Sequence, residues 1–351
     1  MISVGVLGAS GLVGQRVMSL LWNHPWFEPI PITLSNEKKG KKYAEAVDWA
    51  IDWSMPMDMG ETKVQDYSIE TMRRLGVKLV ISAIPSQVAR EIEPRMLQEG
   101  FNIVSNASPL RLEEDIPLIN PEVNADHISL IRNQKRRGWK GYMVKVPNCT
   151  TAILTLTLKP IMDSLGIQSV TVSTMQAISG AGFSGLPAVT IANNVIPWIS
   201  GEEEKVRLES KKILGDLVGN SVRPAMMKVA TSTHRVPVID GHVMSVFVNT
   251  IDGADPSHVK EALARYPGNG IAGYNLPTAP EKPVIIFEDE ERPQPRLDLY
   301  HGNGMSVSVG RLRIDEDTGW LKYIALGHNT VRGAGGTAVL IADLLYYKGL
   351  L

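Results

Sequence analysis

The chain has 351 residues with a formal net charge of -1, and 44% of them are hydrophobic and 21% charged, which is the composition of a globular protein with more than one domain. A charge this close to zero gives no bulk attraction to nucleic acid or to an anionic membrane surface, so neither partner is expected. Its one cysteine excludes an internal disulfide, and no apolar run approaches the roughly 20 residues of a membrane span, so we expect a cytoplasmic protein.

The first half of the chain alternates short apolar strands with helices. Ile2–Leu7 is a continuous apolar run that ends at Gly8, and Leu12–Leu21 then follows helical periodicity. Such alternation predicts right-handed β-α-β units and a mainly parallel sheet, as in a Rossmann-type domain that binds dinucleotides. The later strands of this pattern are expected at 30–34, 77–85, 102–105 and 141–147, and the later helix at 86–98.

The second half is richer in β-structure. The segment His242–Thr250 alternates apolar and polar residues, which indicates a sheet with one face towards solvent or another subunit. Helices are expected at 150–164 and 333–347, the latter with Gly349 as its C-cap. We therefore predict the α/β class, with a Rossmann domain at 1–148, completed by a C-terminal helix at 330–351, and an α+β catalytic and dimerisation domain with a mixed sheet at 149–329. The other strands of that sheet are expected at 169–177, 226–236, 306–313 and 320–326.

A glycine-rich turn connects the first strand to the first helix. In "VGVLGASGLVGQRV", Gly8, Gly11 and Gly14 are three residues apart, where a helix start with exposed N–H groups can cradle a diphosphate. A tight turn without a ligand is the alternative. At the end of the second strand, Ser35, Asn36 and Lys38 favour NADP over NAD, although the neighbouring Glu37 does not, and a solvated basic loop remains the alternative.

The only cysteine lies in "VPNCTTAIL", between a strand-like and a helix-like run. A helix that begins at Thr150 would stabilise the Cys149 thiolate, lower the thiol pKa and offer N–H donors to an oxyanion. Cys149 is therefore the expected nucleophile, and a buried structural cysteine is the alternative. Beside a nicotinamide, such a thiolate can convert an aldehyde into a thioester or, in reverse, reduce an activated acyl group to an aldehyde.

Several charged residues could serve this chemistry. Among seven histidines we favour His242 as the base, because Arg235 on the same segment could clamp a substrate carboxylate. Arg111, Glu202 and Lys205 are further candidates, although charged helix faces are usually only solvated.

In this order, "GASGLVG", "SNAS" with a following "LR", "PNCTT", "QAISGAG", "GEEEK", "HRVPVIDGH" and "HNTVRGAGG" cover nearly the whole chain. Together these motifs resemble aspartate-β-semialdehyde dehydrogenase, and most closely its archaeal and fungal branch. The resemblance implies a fold like that of glyceraldehyde-3-phosphate dehydrogenase. It also implies NADPH-dependent reduction of L-aspartyl-4-phosphate to L-aspartate 4-semialdehyde and phosphate, on the shared route to lysine, threonine, methionine and diaminopimelate, by a homodimer or homotetramer.

The resemblance also implies roles for individual residues. Cys149 would form the acyl-thioester, Gln176 would orient the substrate and His242 would be the general acid/base. Arg235 would hold the substrate carboxylate, Glu202 its ammonium, and Arg111 with Lys205 its phosphate. No metal ligands are implied. The implied cofactor-binding residues are Gly8, Ser10, Gly11, Leu12, Val13, Gly14, Ser35, Asn36, Lys38, Ser82, Ser179, Gly180, Gly182 and Asn329.

Three alternatives remain open. A related archaeal branch reduces malonyl-CoA or succinyl-CoA with the same nucleophile and base, but Asn148 before the cysteine favours the aspartyl-phosphate enzyme. N-acetyl-glutamyl-phosphate reductase shares the chemistry but matches the flanking motifs less well. The chain could also be a non-catalytic dinucleotide-binding redox sensor with Cys149 as its switch, although a resolving cysteine is missing.

Overall fold

The computed structural model describes all of residues 1–351, and their strands form two six-stranded sheets and one two-stranded ribbon. The first sheet is parallel throughout, with the strand order β3-β2-β1-β4-β5-β6. This order is that of a Rossmann-type sheet, in which a crevice forms beyond the carboxyl ends of the strands. Its strands are β1 (Ile2–Leu7), β2 (Phe27–Thr33), β3 (Gln65–Asp66), β4 (Leu79–Ser82), β5 (Asn102–Ser105) and β6 (Met143–Lys145).

Helices cover both faces of the first sheet, which explains why its strands are apolar without alternation. The bounds of α1 and α5 agree with the prediction. The third predicted strand is shorter than expected because the Val77 N–H bonds Met72 at the end of the preceding helix instead of joining the sheet. These helices are α1 (Leu12–Leu21), α2 (Tyr43–Ala46), α3 (Met57–Glu61), α4 (Ile69–Arg74), α5 (Ser86–Gln98) and α6 (Pro121–Asn124), followed by a 3-10 helix at Ala125–Arg137.

The second sheet is mixed, as predicted, with the order β10-β7-β11-β14-β13-β12. β10 pairs parallel with β7 and β12 with β13, whereas the central pairs are antiparallel. β12 was not predicted. The strands are β7 (Ile167–Gln176), β10 (Lys228–Arg235), β11 (His242–Thr250), β12 (Val284–Phe287), β13 (Val307–Ile314) and β14 (Leu321–Gly327), and the ribbon is β8 (Asp216–Val218) and β9 (Ser221–Arg223).

Helix α7 packs on one face of the second sheet. Most of its residues are buried, whereas the strands beneath it alternate between buried and partly exposed positions. The chain therefore covers one face of this sheet and leaves the other half-exposed. The remaining helices are α7 (Cys149–Leu165), α8 (Ala188–Ile191), α9 (Glu202–Ile213), α10 (Pro256–Ala264), α11 (Pro295–Asp298) and α12 (Gly336–Tyr347), with short 3-10 or π turns at Ile178–Ala181, His301–Gly304 and Val331–Gly335.

The last helix returns to the first sheet, as predicted. α12 is apolar and buried on nearly all sides, and its residues share a core with Val4, Val6 and Val17. The helix ends in a Schellman motif, since Gly349 has a φ of 66° and the Leu350 N–H bonds the Leu345 carbonyl at 2.9 Å. None of the helices is long and apolar enough to cross a membrane.

We propose the domain boundaries 1–148 with 330–351, and 149–329. The two sheets and their separate hydrophobic cores support this division. Some residues of each domain pack in the core of the other. Ile271, Leu276 and Met305 of the second domain lie in the first core, and Leu118 and Val123 of the first domain lie in the second core. The domains are therefore joined by packing as well as by the chain.

A fully buried ion pair within the first domain also contacts the second domain, through Met305. Arg332 and Glu122 are each 0% exposed, and Arg332 donates to both carboxylate oxygens and, through Nε, to the Met305 carbonyl at 2.6 Å. Such a pair is costly to break because it leaves one charge buried without a partner.

Replacing Arg332 by leucine should therefore lower the free energy of unfolding by about 3–5 kcal/mol. The matched control is Arg223→Leu, which removes an exposed ion pair with Asp216 and should cost less than about 1 kcal/mol. Denaturant titration of both variants gives the comparison, and equal losses would contradict this account of the buried pair.

Candidate active site

The sulfur of Cys149 lies at the start of α7, where the chain leaves the first sheet. Asn148 is the N-cap residue, and its Oδ1 accepts from the Thr151 N–H at 3.2 Å. Sγ lies 3.2 Å from Nε2 of His242, the first residue of β11. The fold thus brings together two residues that are 93 positions apart in sequence.

His242 is held by the backbone on the side of its ring away from the sulfur. Its Nδ1 accepts from the Ala177 N–H at 3.1 Å. In the neutral ring this hydrogen bond assigns the proton to Nε2, which faces Sγ. Burial, then the neighbouring charges of Arg235 and His328, hold the pKa of His242 well below its usual value. The ring is therefore neutral at pH 7.

The thiol of Cys149 is protonated in the free chain. Burial raises its pKa to about 12, and the Glu202 carboxylate adds to this effect. Arg235, the Thr150 N–H and Arg111 act in the opposite direction but do not outweigh burial. The Thr150 N–H at the helix start thus acts in the predicted direction, but the predicted net lowering of the thiol pKa is wrong because burial outweighs it. The predicted position at a helix start is confirmed.

Arg235 and Gln176 lie side by side at the ends of two parallel strands. Arg235 is 6% exposed and donates through Nη1 to the Ala177 carbonyl at 2.6 Å. Gly180 passes directly over this guanidinium, where a Cβ would come within 2.6 Å of Nη1. A glycine is required there to leave room for both Arg235 and the ring of His242.

Helix α9 presents a charged face to the site. Glu202, Lys205, Glu209 and Lys212 are three, four and three residues apart, which places them on one face of the helix. Each of them contacts the site or the loop beside it. Glu202 accepts from the Asn148 side-chain amide at 2.8 Å, and the Lys205 ammonium lies 3.7 Å from Glu202. Only the first two had been predicted as site residues, although the same spacing in the sequence could have indicated the other two.

Arg111 offers an unsatisfied cation. It is 7% exposed and donates to Glu209 at 2.9 Å and to the Asn106 carbonyl at 2.7 Å. Its buried Nε has no partner in the chain. Arg111 also lines the cavity, where its guanidinium charge favours an anion.

The glycine-rich turn has the geometry of a diphosphate cradle. Gly8 has a φ of 83°, and a Cβ at Gly14 would overlap the Gly8 carbonyl oxygen, whereas a Cβ at Gly11 would meet that oxygen at an ordinary contact distance of 3.6 Å. Helix α1 has no side-chain cap, so the N–H groups of Leu12 and Val13 have no acceptor in the chain. These residues therefore fit a dinucleotide phosphate.

One cavity of ≈ 340 Å³ brings many of the predicted residues together. Nine further residues line it without having been predicted, namely Ser86, Asn106, Ser108, Pro147, Ile199, Ser200, Thr330, Gly333 and Ala334. Gly333 supports the nucleophile, because a Cβ there would lie 2.6 Å from the Cys149 Cβ. The predicted residues that line the cavity are Val13, Arg111, Asn148, Cys149, Gln176, Ser179, Gly180, Gly182, Glu202, Lys205, Arg235 and Asn329.

Other predicted cofactor residues lie outside this cavity. Ser82 is 0% exposed at the end of β4 and does not line it. Ser35, Asn36 and Lys38 follow β2, as expected for the adenosine end of a dinucleotide, and the neighbouring Lys39 is paired with Asp66 at 2.6 Å. The roles of these residues stay predictions.

A parallel dinucleotide-type domain beside a cysteine–histidine pair that borders a cavity defines a class of oxidoreductase that acts through a covalent thioester. The family description "Semialdehyde dehydrogenase, NAD binding domain" matches residues 3–131, and "Semialdehyde dehydrogenase, dimerisation domain" matches residues 158–332. The chain belongs to the semialdehyde dehydrogenase family.

Individual relatives agree with this assignment. The chain is 48% identical to an aspartate-semialdehyde dehydrogenase of Archaeoglobus fulgidus, over 99% of both chains. It is 35% identical to a malonyl CoA reductase (NADP) of Metallosphaera sedula, over 100% of this chain and 98% of the relative. The crystal structure of aspartate semialdehyde dehydrogenase with NADP from Candida albicans matches with a TM-score of 0.90 and 35% identity, over 100% of both chains.

The raised thiol pKa predicts slow alkylation of Cys149 at neutral pH. Because the thiolate is the reactive species, its rate with iodoacetamide should rise about tenfold per pH unit up to about pH 10. Glu202→Gln should react faster at each pH, since it removes a carboxylate that raises the pKa. Labelling followed by mass spectrometry measures the rate, with Cys149→Ser as the unlabelled control. A rate that levels off below about pH 8 would contradict the raised pKa.

Proposed function

We propose that this chain catalyses the NADPH-dependent reductive dephosphorylation of L-aspartyl-4-phosphate to L-aspartate 4-semialdehyde and phosphate. The observation that carries the proposal is one cavity with a nucleophile and a complement for each charged group of this substrate. Arg235 suits its carboxylate, Glu202 its ammonium, and Arg111 with Lys205 its phosphate. The sulfur of Cys149 lies in the same cavity, in contact with His242.

In the first step Cys149 attacks the acyl carbon. The bond from sulfur to carbon forms, the bond from the acyl carbon to the phosphate oxygen breaks, and phosphate leaves towards Arg111 and Lys205. The free thiol is protonated, and Nε2 of His242 already carries the ring proton because Nδ1 accepts from Ala177, so the thiol proton goes to the departing phosphate oxygen. The Nε2–H of His242, 3.2 Å from Sγ, donates to the charge that develops in this step.

NADPH, when bound at the glycine-rich turn, supplies the hydride that reduces the thioester. His242 exchanges protons with the sulfur and the substrate oxygen through Nε2, the ring atom that faces them. Arg235 and the Thr150 N–H stabilise the thiolate that leaves when the aldehyde is released. Burial of the site excludes water, which would hydrolyse the thioester.

The preference for NADP over NAD is proposed to come from Ser35, Asn36 and Lys38. No acidic residue directly follows β2, so the position that would accept from a ribose 2′-hydroxyl is free for a 2′-phosphate. The Candida albicans relative was crystallised with NADP.

A malonyl-CoA or succinyl-CoA reductase is the second candidate, because of the Metallosphaera sedula relative. Glu202 argues against it. This carboxylate is 6% exposed and held by Asn148 at 2.8 Å, and neither malonyl nor succinyl groups carry an ammonium to pair with it. Its nearest cation in the chain is Lys205, at 3.7 Å, and a substrate ammonium would add a second partner for this buried charge, which favours the amino-acid substrate.

The dimerisation domain and the half-exposed face of the second sheet support a homo-oligomer. We propose a homodimer or homotetramer in the cytoplasm, acting on the common route to lysine, threonine, methionine and diaminopimelate.

The substrate is tested by two assays on the same preparation. We expect NADPH to form from NADP with L-aspartate 4-semialdehyde and phosphate, and no NADPH oxidation with malonyl-CoA or succinyl-CoA. Cys149→Ser should lose acyl-enzyme formation but still bind NADP. Turnover with a CoA ester alone would make the chain a CoA-dependent reductase.

His242→Ala should lower kcat about 10²- to 10⁴-fold with little change in NADP binding, because Nε2 is lost as proton donor and acceptor. His258→Ala changes an exposed histidine and serves as the control, with an expected kcat near that of the unmodified enzyme. An unchanged kcat and pH–rate profile in His242→Ala would remove His242 from its proposed role.

A further inference from the structure

Glu209 is a buried carboxylate next to the proposed phosphate site. It is 2% exposed, and each of its oxygens has a partner. Oε1 accepts from Arg111 Nη1 at 2.9 Å, and Oε2 accepts from the backbone N–H of Asn148 at 2.7 Å. No part of Glu209 lines the cavity.

A negative charge so close to a phosphate site needs a physical reason, since like charges repel. Its hydrogen bonds direct the carboxylate away from the cavity and fix Arg111. With Nη1 on Glu209 and Nη2 on the Asn106 carbonyl, the guanidinium plane is held at two points. Arg111 is thereby held in the position in which it lines the cavity.

The other oxygen of Glu209 holds the start of the helix that carries the nucleophile. Asn148 is the N-cap residue of α7, directly before Cys149. A carboxylate at this end of a helix is also favoured by the helix dipole. One side chain therefore contacts both the phosphate handle and the residue that precedes the sulfur.

Lys212, on the same face of α9, fixes the loop that carries Arg111. Its ammonium donates to the carbonyls of Arg111, Glu113 and Ile116 at 2.6–2.8 Å. The loop is thus anchored to α9 at both the backbone and the side chain of Arg111.

We propose that Glu209 is a positioning residue that couples Arg111 to the start of α7, so that bound phosphate and the Cys149 acyl group are held at a fixed separation. The inference rests on the proposed function, because it assumes that Arg111 binds the phosphate of that reaction. In the direction of semialdehyde oxidation, phosphate attacks the thioester carbon, the carbon–sulfur bond breaks and the thiolate leaves. Misplacing Arg111 therefore impairs the step that uses phosphate more than the binding of semialdehyde or NADP.

The test is steady-state kinetics of Glu209→Gln with semialdehyde, NADP and phosphate. We expect the KM for phosphate to rise about tenfold or more, since a charge-assisted hydrogen bond is lost. The KM values for semialdehyde and NADP should stay within about twofold, as expected for sites that Glu209 does not contact. The control is Glu204→Gln, an exposed residue of the same helix, which should leave all three values unchanged. Equal rises of all three KM values in Glu209→Gln would overturn the proposal.

A double-mutant cycle separates positioning from general loss of structure. If Glu209 acts through Arg111, Glu209→Gln should add little to the phosphate KM in an Arg111→Gln background, whereas independent effects would add. Additive effects would overturn the proposal.

Glu209→Asp serves the same comparison if Glu209→Gln does not fold. It keeps the charge but shortens the side chain, so it cannot reach both partners, and the same selective rise in phosphate KM is expected. An unchanged phosphate KM in a folded Glu209→Asp would overturn the proposal as well.

Absence of semialdehyde turnover in the unmodified enzyme would instead overturn the proposed function. Normal turnover there, with an unchanged phosphate KM in Glu209→Gln, would overturn this inference alone.

Discussion

The start of helix α7 is the point on which the arrangement of the site depends. Asn148 is held there by two buried carboxylates of one helix, with Glu209 on its backbone N–H and Glu202 on its side-chain amide. The capping bond from Thr151 to Asn148 then fixes the first turn. Cys149 follows Asn148 directly, so the bonds that hold Asn148 also fix the position from which the sulfur contacts His242. The second sheet supplies the histidine, and the first sheet supplies the strand that leads to the corner.

Burial of the site has two opposite effects on the proposed reaction. It excludes water, but it raises the pKa of the Cys149 thiol to about 12 and lowers that of His242. The nearby charges act in opposite directions, since Glu202 raises the thiol pKa and Arg235 lowers it. A substrate ammonium beside Glu202 weakens the first of these charge effects. A raised thiol pKa lowers the thiolate fraction of the resting enzyme, so its ionisation depends on the charges nearby.

The sequence predicted the fold well wherever hydrophobic periodicity was strong. The bounds of β1, α1, α5, β5 and β11 were predicted correctly because their apolar patterns are unambiguous. The thiol pKa was predicted wrongly, because a helix start can be inferred from local sequence, whereas burial by distant residues cannot. Glu209 was missed for a similar reason. Its partners Arg111 and Asn148 lie 98 and 61 positions away, and only the folded chain shows that one carboxylate serves both.

The relatives show that this scaffold accompanies more than one substrate, since an aspartate-semialdehyde dehydrogenase and a malonyl CoA reductase both align with nearly the whole chain. The nucleophile, the histidine and the dinucleotide turn suit both reactions, so they do not determine which substrate is used. Substrate choice depends on the residues that recognise the acyl group and its leaving group. We propose that Glu202 is such a residue, because it is 6% exposed, is held by Asn148 at 2.8 Å and lines the cavity that contains the sulfur. The chain places the Lys205 ammonium 3.7 Å from it, so a second cation in the cavity would offset the cost of this buried charge further, and of the proposed substrates only the aminoacyl phosphate brings one.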